Sequence, residues 1–368
     1  MKLGRRDFFG ALTAAAALPQ FTTTGRAQSN GKLGLPGLFP GRVVSVKSPA
    51  CYTGGKFQVE PIRAMMRRGM TELTGAPDWV AAWRMFVQPG DVVGIKLNPV
   101  GNPDVISSAE VFREIVAGLN AAGIKNKDIV AYDRYRRQFL SAGFDKWLPE
   151  GVRWSWAAED YERVQLGMDG YDEAHYMEMN LVQPGQDPRD AHNRRSHVSK
   201  FLTQQVNKLI NLPVLKHHQS AGVTLALKNL SHGSVNNVNR SHFTTTANSC
   251  GMFIPAVVST PVIRDKTVLN ILDGILGMYH GGPGGKKGKY VWVNHTLYFA
   301  TDPVAVDKIG WGVIDAQRTA KGMATIALSK PDRDSTFLNC QPEHIEIASG
   351  LGLGVFDDAK IERKIIEI

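Results

Sequence analysis

Between Lys208 and Gly233 the chain crowds chemically capable side chains into one short segment: the cations Lys216 and Lys228, the imidazoles His217 and His218, and the amide of Asn229. A lysine holds an anion as a compact point charge, and one that is buried needs a partner or a purpose. Imidazole titrates near neutral pH and is the commonest metal ligand, so it suits proton transfer and metal binding alike. Lys228, His218 and Lys216 are therefore the candidate catalytic groups. Two other segments end in the same kinds of residue. An apolar run from Asp91 closes on Lys96-Leu97-Asn98-Pro99, and another from Thr267 closes on Asp273-Gly274. Ligands of α/β proteins bind beyond the C-terminal ends of strands, so Lys96, Asn98, Asn229 and Asp273 are the candidate ligand-binding residues. Three lysines around one pocket imply a small anion, a carboxylate or a phosphate.

The elements that must position these groups follow from periodicity. Arg42 to Lys47 opens the fold as a strand, and apolar residues at Ile62, Met65, Met66, Met70 and Leu73 have helical spacing. Trp79 to Val87 reads as a second helix, stopped by Pro89-Gly90. Asp91 to Leu97 is a strand, Ser107 or Ser108 caps a helix that Gly123 closes, and Lys127 to Asp133 is the next strand. That βαβ unit makes the sheet at least partly parallel. Residues 139–195 lose periodicity and read as an irregular insertion, Ser196 to Val206 as a helix, and Leu209 to Leu215 as the strand that delivers Lys216 to His218. Further on, Ser234 to Ser249 is a polar loop carrying His242, and Cys250 to Ile263 is a buried helix. Thr267 to Leu272 and Tyr290 to Ala300 are strands, Asp302-Pro303 starts a long helix, and His344 to Ile347 is a last strand. The expected fold is a single α/β domain over 42–368, with a mixed or mainly parallel central sheet and helices on both faces.

Several function classes are excluded or disfavoured. The formal charge of +9 includes +3 from Lys2, Arg5, Arg6 and Arg26 against Asp7, leaving +6 dispersed over the rest. Without aromatic interleaving this does not describe a nucleic-acid surface. Three separated cysteines, Cys51, Cys250 and Cys340, supply neither the four thiolates of an iron–sulfur cluster nor a disulfide framework. In the tract Gly281 to Lys289 the fingerprint of a nucleoside-triphosphate loop fails, because Pro283 stands where its first glycine belongs and Tyr290 where Ser or Thr belongs.

The first 27 residues have the parts of an export signal: a charged start, the apolar run Phe8 to Leu18, and small residues at Gly25 and Ala27. Gly4-Arg5-Arg6-Asp7-Phe8-Phe9 resembles the bacterial twin-arginine signal, which implies the twin-arginine export machinery as partner, export in the folded state and a periplasmic location. Residues 28–41, rich in Gly and Pro, read as a linker. No second apolar run long enough to span a bilayer follows residue 30.

The segments Val93 to Asn98, Asn211 to His218, Gly222 to Asn229, Leu272 to Gly274 with Gly281 to Pro283, and Asp302 to Asp307 together resemble the bacterial and archaeal family called domain of unknown function 362. The order of His218, Gly222, Thr224, Lys228 and His242 is also similar to the cofactor region of the nickel-pincer lactate racemases. That likeness implies Lys228 as a cofactor anchor, His242 as a metal ligand and His218 as an acid–base group. His217 joins His242 as a candidate ligand because imidazole is the usual donor. The resulting expectation is an exported enzyme, using a metal or metal-containing cofactor for acid–base or redox chemistry on a small anion. The competing expectation is a non-catalytic periplasmic protein that binds an anion or a metal.

Overall fold

The protein is described here by a computed structural model covering residues 33–284, 288–338, 340 and 342–368. The expected leader, 1–27, the first part of the expected linker, and Lys286 and Lys287 of the glycine-rich tract lie outside the described residues. The strands are β1 (Arg42–Lys47), β2 (Val93–Lys96), β3 (Ile129–Tyr132), β4 (Arg153–Ser155), β5 (Tyr171–Glu178), β6 (Arg195–Ser199), β7 (Lys208–Asn211), β8 (Val214–His218), β9 (Gly222–Val223), β10 (Thr267–Met278), β11 (Val291–Ala300) and β12 (Glu362–Glu367). In the main sheet the order is β12-β1-β11-β10-β7-β2-β3-β4, and β8 adds to β10 beyond the point where β7 ends. The pairs from β10 through β4 are parallel, as are β12 with β1 and β8 with β10; β11 runs against both its neighbours, and the short β9 against β8. This is a mainly parallel α/β sheet.

Because successive strand residues face opposite ways, each strand feeds two cores. Val44, Val46, Ile95, Ile210 and Phe299 pack on one side with α1 (Val59–Thr74), α2 (Trp79–Arg84) and α3 (Ala109–Ala122). On the other side Val43, Val130, Tyr132, Leu209 and Ala300 meet the layer of α4 (Leu225–Ser234), α5 (Cys250–Val258), α6 (Pro261–Lys266), α7 (Pro303–Ala320) and α8 (Glu343–Gly350). Ile95 faces α1 and α3, so Lys96 faces α4. Lys96 pairs in register with Tyr132 on one side and Asn211 on the other, which brings the C-terminal ends of β2, β3 and β7 level. The caps form as their residue types dictate: Asp302 accepts from the amides of Val304 and Ala305 at the start of α7, and Gly123, at φ 105°, closes α3.

Five local expectations change. The run Leu209 to Leu215 is two strands, because Pro213 has no amide for the ladder and the chain steps from one neighbour to the next. Ser196 to Val206 is not one helix: its first part is β6, recruited by antiparallel pairing with β5, and a single π turn, Phe201–Gln205, follows. His344 to Ile347 belongs to α8, whose buried His344, Ile345 and Ala348 show helical spacing that so short an apolar run conceals. The strand from Thr267 runs on to Met278, so Asp273 lies inside it and not at its end. Residues 33–41, expected as linker, are tied to the body, with Leu35 only 3% exposed and the Gly41 amide donating to Asp302. No helix among the described residues is long and apolar enough to cross a membrane.

Candidate functional site

Above the level ends of β2, β3 and β7, and beneath α4, lies a cavity of about 200 Å³. Its wall includes Lys96, Asn98, Lys216, His218, Lys228, Asn229 and His242, seven of the nine residues singled out from sequence. His217 and Asp273 are not on it. On β8 Lys216 and His218 share one face, so His217 points the other way and packs on His280, ring centres 5.3 Å apart. There His280 accepts from Arg318 at Nδ1 and meets Asp332 at Nε2, a network remote from the cavity wall. Asp273 is spent on the fold: its carboxylate accepts from the Ser108 amide at 2.9 Å and hydroxyl at 2.7 Å, tying β10 to the start of α3.

Lys96 has no free donor for a ligand. Its ammonium bonds the Leu97 carbonyl, Asp133 Oδ1 at 2.6 Å and Asn229 Oδ1 at 3.3 Å, and burial pulls its pKa down while Asp133 pulls it up. Among the described residues Asp133 is the single carboxylate on the cavity wall, and Lys96 neutralises it. Three other bases face the cavity: Arg134, Lys216 and Lys228. Arg134 is anchored to the Val235 carbonyl and the Tyr135 hydroxyl.

A one-way chain of amides fixes the floor. Lys216 Nζ donates to Asn98 (2.8 Å), Asn98 to Asn229 (2.9 Å), Asn229 to Asn211 (2.7 Å), Asn211 to Asn270 (2.9 Å), and Asn270 to the Thr301 carbonyl (3.1 Å). Each link polarises the next, and each amide has its oxygen and nitrogen orientation set by its neighbours. Lys216 uses one donor in this chain. It is wholly buried, and burial first, then the charges of Lys228 and Lys96, hold its pKa well below the ordinary lysine value.

Lys228, on α4 and 6% exposed, has no hydrogen-bond or ion-pair partner among the described residues; burial chiefly, with Arg134 adding, lowers its pKa to about 8. Three imidazoles surround it. The tight hairpin from β8 to β9, with Gly222 at φ 73°, turns the amides of Ser220 and Ala221 onto His218 Nδ1. Amides only donate, so Nδ1 is an acceptor and the neutral ring carries its proton on Nε2. His232 is fixed similarly: the Ser241 hydroxyl donates to the Val238 carbonyl, so His232 Nε2 donates to it, and Nδ1 faces Ser231. His242 stacks parallel to His218 at 6.1 Å and leaves Nδ1 buried without a partner. Burial above all, and Lys228 next, push the pKa of all three down, that of His242 to about 3, so they are neutral.

This donor set does not fit the expected metal. Among the described residues no three His, Cys, Asp or Glu side chains are grouped to hold an ion. His217 and His242 are on different sides of β8, and His218 and His232 have committed their unprotonated nitrogens to donors.

Sequence reasoning missed Asp133, Arg134, His232, Asn211 and Asn270, and left Asp307 open between a capping and a catalytic role. Two had a signal: Asp133 ends its strand as Lys96 ends the neighbouring one, and His232 is one helical turn from Lys228. The others needed the fold. Asp307, fully buried on α7, reaches across to accept from the Ala226 and Leu227 amides at 2.7 and 2.9 Å, and so fixes the first turn of the helix that carries Lys228.

Beside the cavity a wider recess of about 640 Å³ shares the wall of Arg134, Tyr135, Tyr161 and Gln165. Its own rim is acidic, with Glu159, Asp160, Glu162 and Asp169. Such an approach disfavours polyanions, whereas the inner cavity is basic.

No curated protein matches the chain. Residues 93–312, which carry β2, β3, β7, β8, α4 and therefore the whole cavity wall, match the family model described as "Domain of unknown function (DUF362)". The chain is thus a member of the DUF362 family.

Proposed function

We propose that this protein is an exported enzyme that performs acid–base chemistry on a small anionic substrate, with Lys228 and Lys216 as the proton-handling pair. One observation carries the reading: two buried amines face one cavity whose sole carboxylate, Asp133, is already taken by Lys96. Burying unpaired cations is costly, so a site that keeps them is built for an anion that arrives later. An arriving carboxylate meets Lys216, whose protonated form it favours against burial and the charges of Lys228 and Lys96, and the Nε2 proton of His218. Lys228, with a pKa of about 8, exists in both protonation states near neutral pH and is suited to accept and return a proton. The likeness in order to the lactate racemases implies an acid–base role for His218. The metal that likeness implies is not supported by the donors present.

Exchange of carbon-bound hydrogen in small carboxylates, followed by NMR in D₂O, tests the reading. Wild-type protein is expected to exchange hydrogen next to the carboxylate, more strongly as pH rises through about 8, and Lys228→Met to abolish exchange. Anion binding with no exchange for any carboxylate would replace the enzyme with a periplasmic anion-binding protein. For export, Arg5→Lys with Arg6→Lys is expected to leave the protein in the cytoplasm, and undisturbed export would overturn the twin-arginine proposal.

A further inference from the structure

The same cavity points to a covalent intermediate. We infer that Lys228 forms an imine with a small 2-oxo acid, whose carboxylate is held by Lys216 and His218. The inference rests on the acid–base reading and names its substrate class.

A lysine that serves only to bind an anion is best kept charged by a carboxylate neighbour, as Lys96 is by Asp133. Lys228 is placed in the opposite way. Its amine ends in the cavity with no hydrogen-bond or ion-pair partner among the described residues, and around it stand the bases Lys216 and Arg134, the neutral rings of His218, His232 and His242, and the buried thiol of Cys250, whose own pKa burial raises. A lysine desolvated beside another cationic group gains a larger neutral, nucleophilic fraction at physiological pH. Its pKa of about 8 agrees with that placement. A carboxylate arriving beside Lys216 opposes the burial and the neighbouring charges that lower its pKa and so favours its protonated form, while the Lys228 amine is left to attack, which matches a carbonyl carbon adjoining a carboxylate. The cavity, about 200 Å³, displaces roughly six or seven waters at about 30 Å³ each, which is room for a short-chain acid.

In the step itself the lone pair of Lys228 Nζ bonds the carbonyl carbon as the carbon–oxygen π pair moves to oxygen, which takes a proton from Lys216. Lys216 then takes a proton from the carbinolamine nitrogen and returns it to the oxygen, and water leaves as the nitrogen lone pair closes the carbon–nitrogen double bond, with Lys216 left neutral. Amine, carbonyl compound and one proton give iminium and water, with no oxidant or reductant. The cationic nitrogen then acidifies hydrogen on the adjoining carbon, which gives the acid–base pair its task.

The test is reductive trapping of the full chain with borohydride in the presence of pyruvate, glyoxylate or 2-oxobutyrate, followed by peptide mass mapping. The expected result is a saturable adduct on the Lys228 peptide, heavier by the mass of the acid less one oxygen, competed by the matching 2-hydroxy acid, and lost in Lys228→Arg. Lys216→Met is expected to slow its formation at least tenfold. Mapping on the wild-type chain keeps the test independent of how the variants fold. Adducts only on exposed lysines, unsaturable and indifferent to the competitor, would overturn the inference. So would protection of the protein against thermal unfolding by these acids without any Lys228 adduct, and that outcome leaves the acid–base reading standing. Neither protection nor adduct would remove both.

Discussion

Lys96 Nζ lies 2.6 Å from Asp133 Oδ1, and this ion pair is closed off from water directly under the cavity. It cancels the single negative charge on the cavity wall and leaves Lys216, Lys228 and Arg134 unopposed. The pair joins the ends of two adjacent parallel strands and also holds Asn229, so it shapes the site without offering a ligand anything. Lys96→Met strands a buried carboxylate and is expected to cost about 3–5 kcal/mol. Removing both charges in Lys96→Met with Asp133→Leu is expected to recover most of that loss. Denaturant unfolding of the three proteins checks this, and a single-variant cost below about 1 kcal/mol would show that water reaches the pair.

Lys228 stands in the opposite position, charged at a cost. Its pKa is lowered from 10.5 to about 8, so between those values the folded chain binds fewer protons than the unfolded one. Stability is therefore expected to rise with pH across that window, and the full cost, about 3 kcal/mol, applies below it. Lys228→Met should be more stable than wild type at pH 7, by roughly 2–3 kcal/mol, and should lose that advantage above the unfolded lysine value. Unfolding free energies measured from pH 6 to 11 in a buffer without binding anions decide it. A Lys228→Met protein no more stable at pH 7 would mean that the amine has a partner after all.

Asp307 makes a third prediction because it works from another helix. Its carboxylate bonds two amides in the first turn of α4, next to Leu225, which sits at φ 45°. Asp307→Ala is expected to lose about 2 kcal/mol, the upper end for a helix cap, because the orphaned amides are buried. It should also loosen Lys228, seen as a rise of its pKa toward the ordinary value when modification rate is followed against pH. Asp307→Asn, which keeps one acceptor, should restore part of both. Unchanged Lys228 reactivity in Asp307→Ala would confine Asp307 to stability.

Gly233 closes the list. A Cβ there would fall 2.0 Å from Lys96 Cε and 2.7 Å from its Nζ, and Lys96 cannot swing aside without releasing its three partners. Alanine gains up to about 1 kcal/mol in helix propensity, but overpacking costs about 1–3 kcal/mol, so Gly233→Ala is expected to destabilise on balance. A stabilised variant would show that the contact relaxes freely.

Much of this was legible along the chain, for a definite reason. Local rules act over a few residues: alternation and β-branching made β2, β3 and β11, helical spacing made α1, Ser108 and Asp302 stand where helices begin, and Gly123 where one ends. The rule that polar residues gather at the ends of parallel strands then put seven of nine chosen residues on one cavity. What the chain alone did not decide was the direction of each side chain and the partner it meets. His217 and His218 are adjacent in sequence, yet a one-residue step in a strand reverses the face, so one meets Arg318's network and the other the cavity. Lys96 and Lys228 are both lysines within an apolar context, and only the folded arrangement gives one a carboxylate and leaves the other without. Sequence by itself determined which residue types are present and which short elements carry them. The tertiary structure decided their protonation, because burial and the charges of residues far apart in the chain set the energy of each buried group.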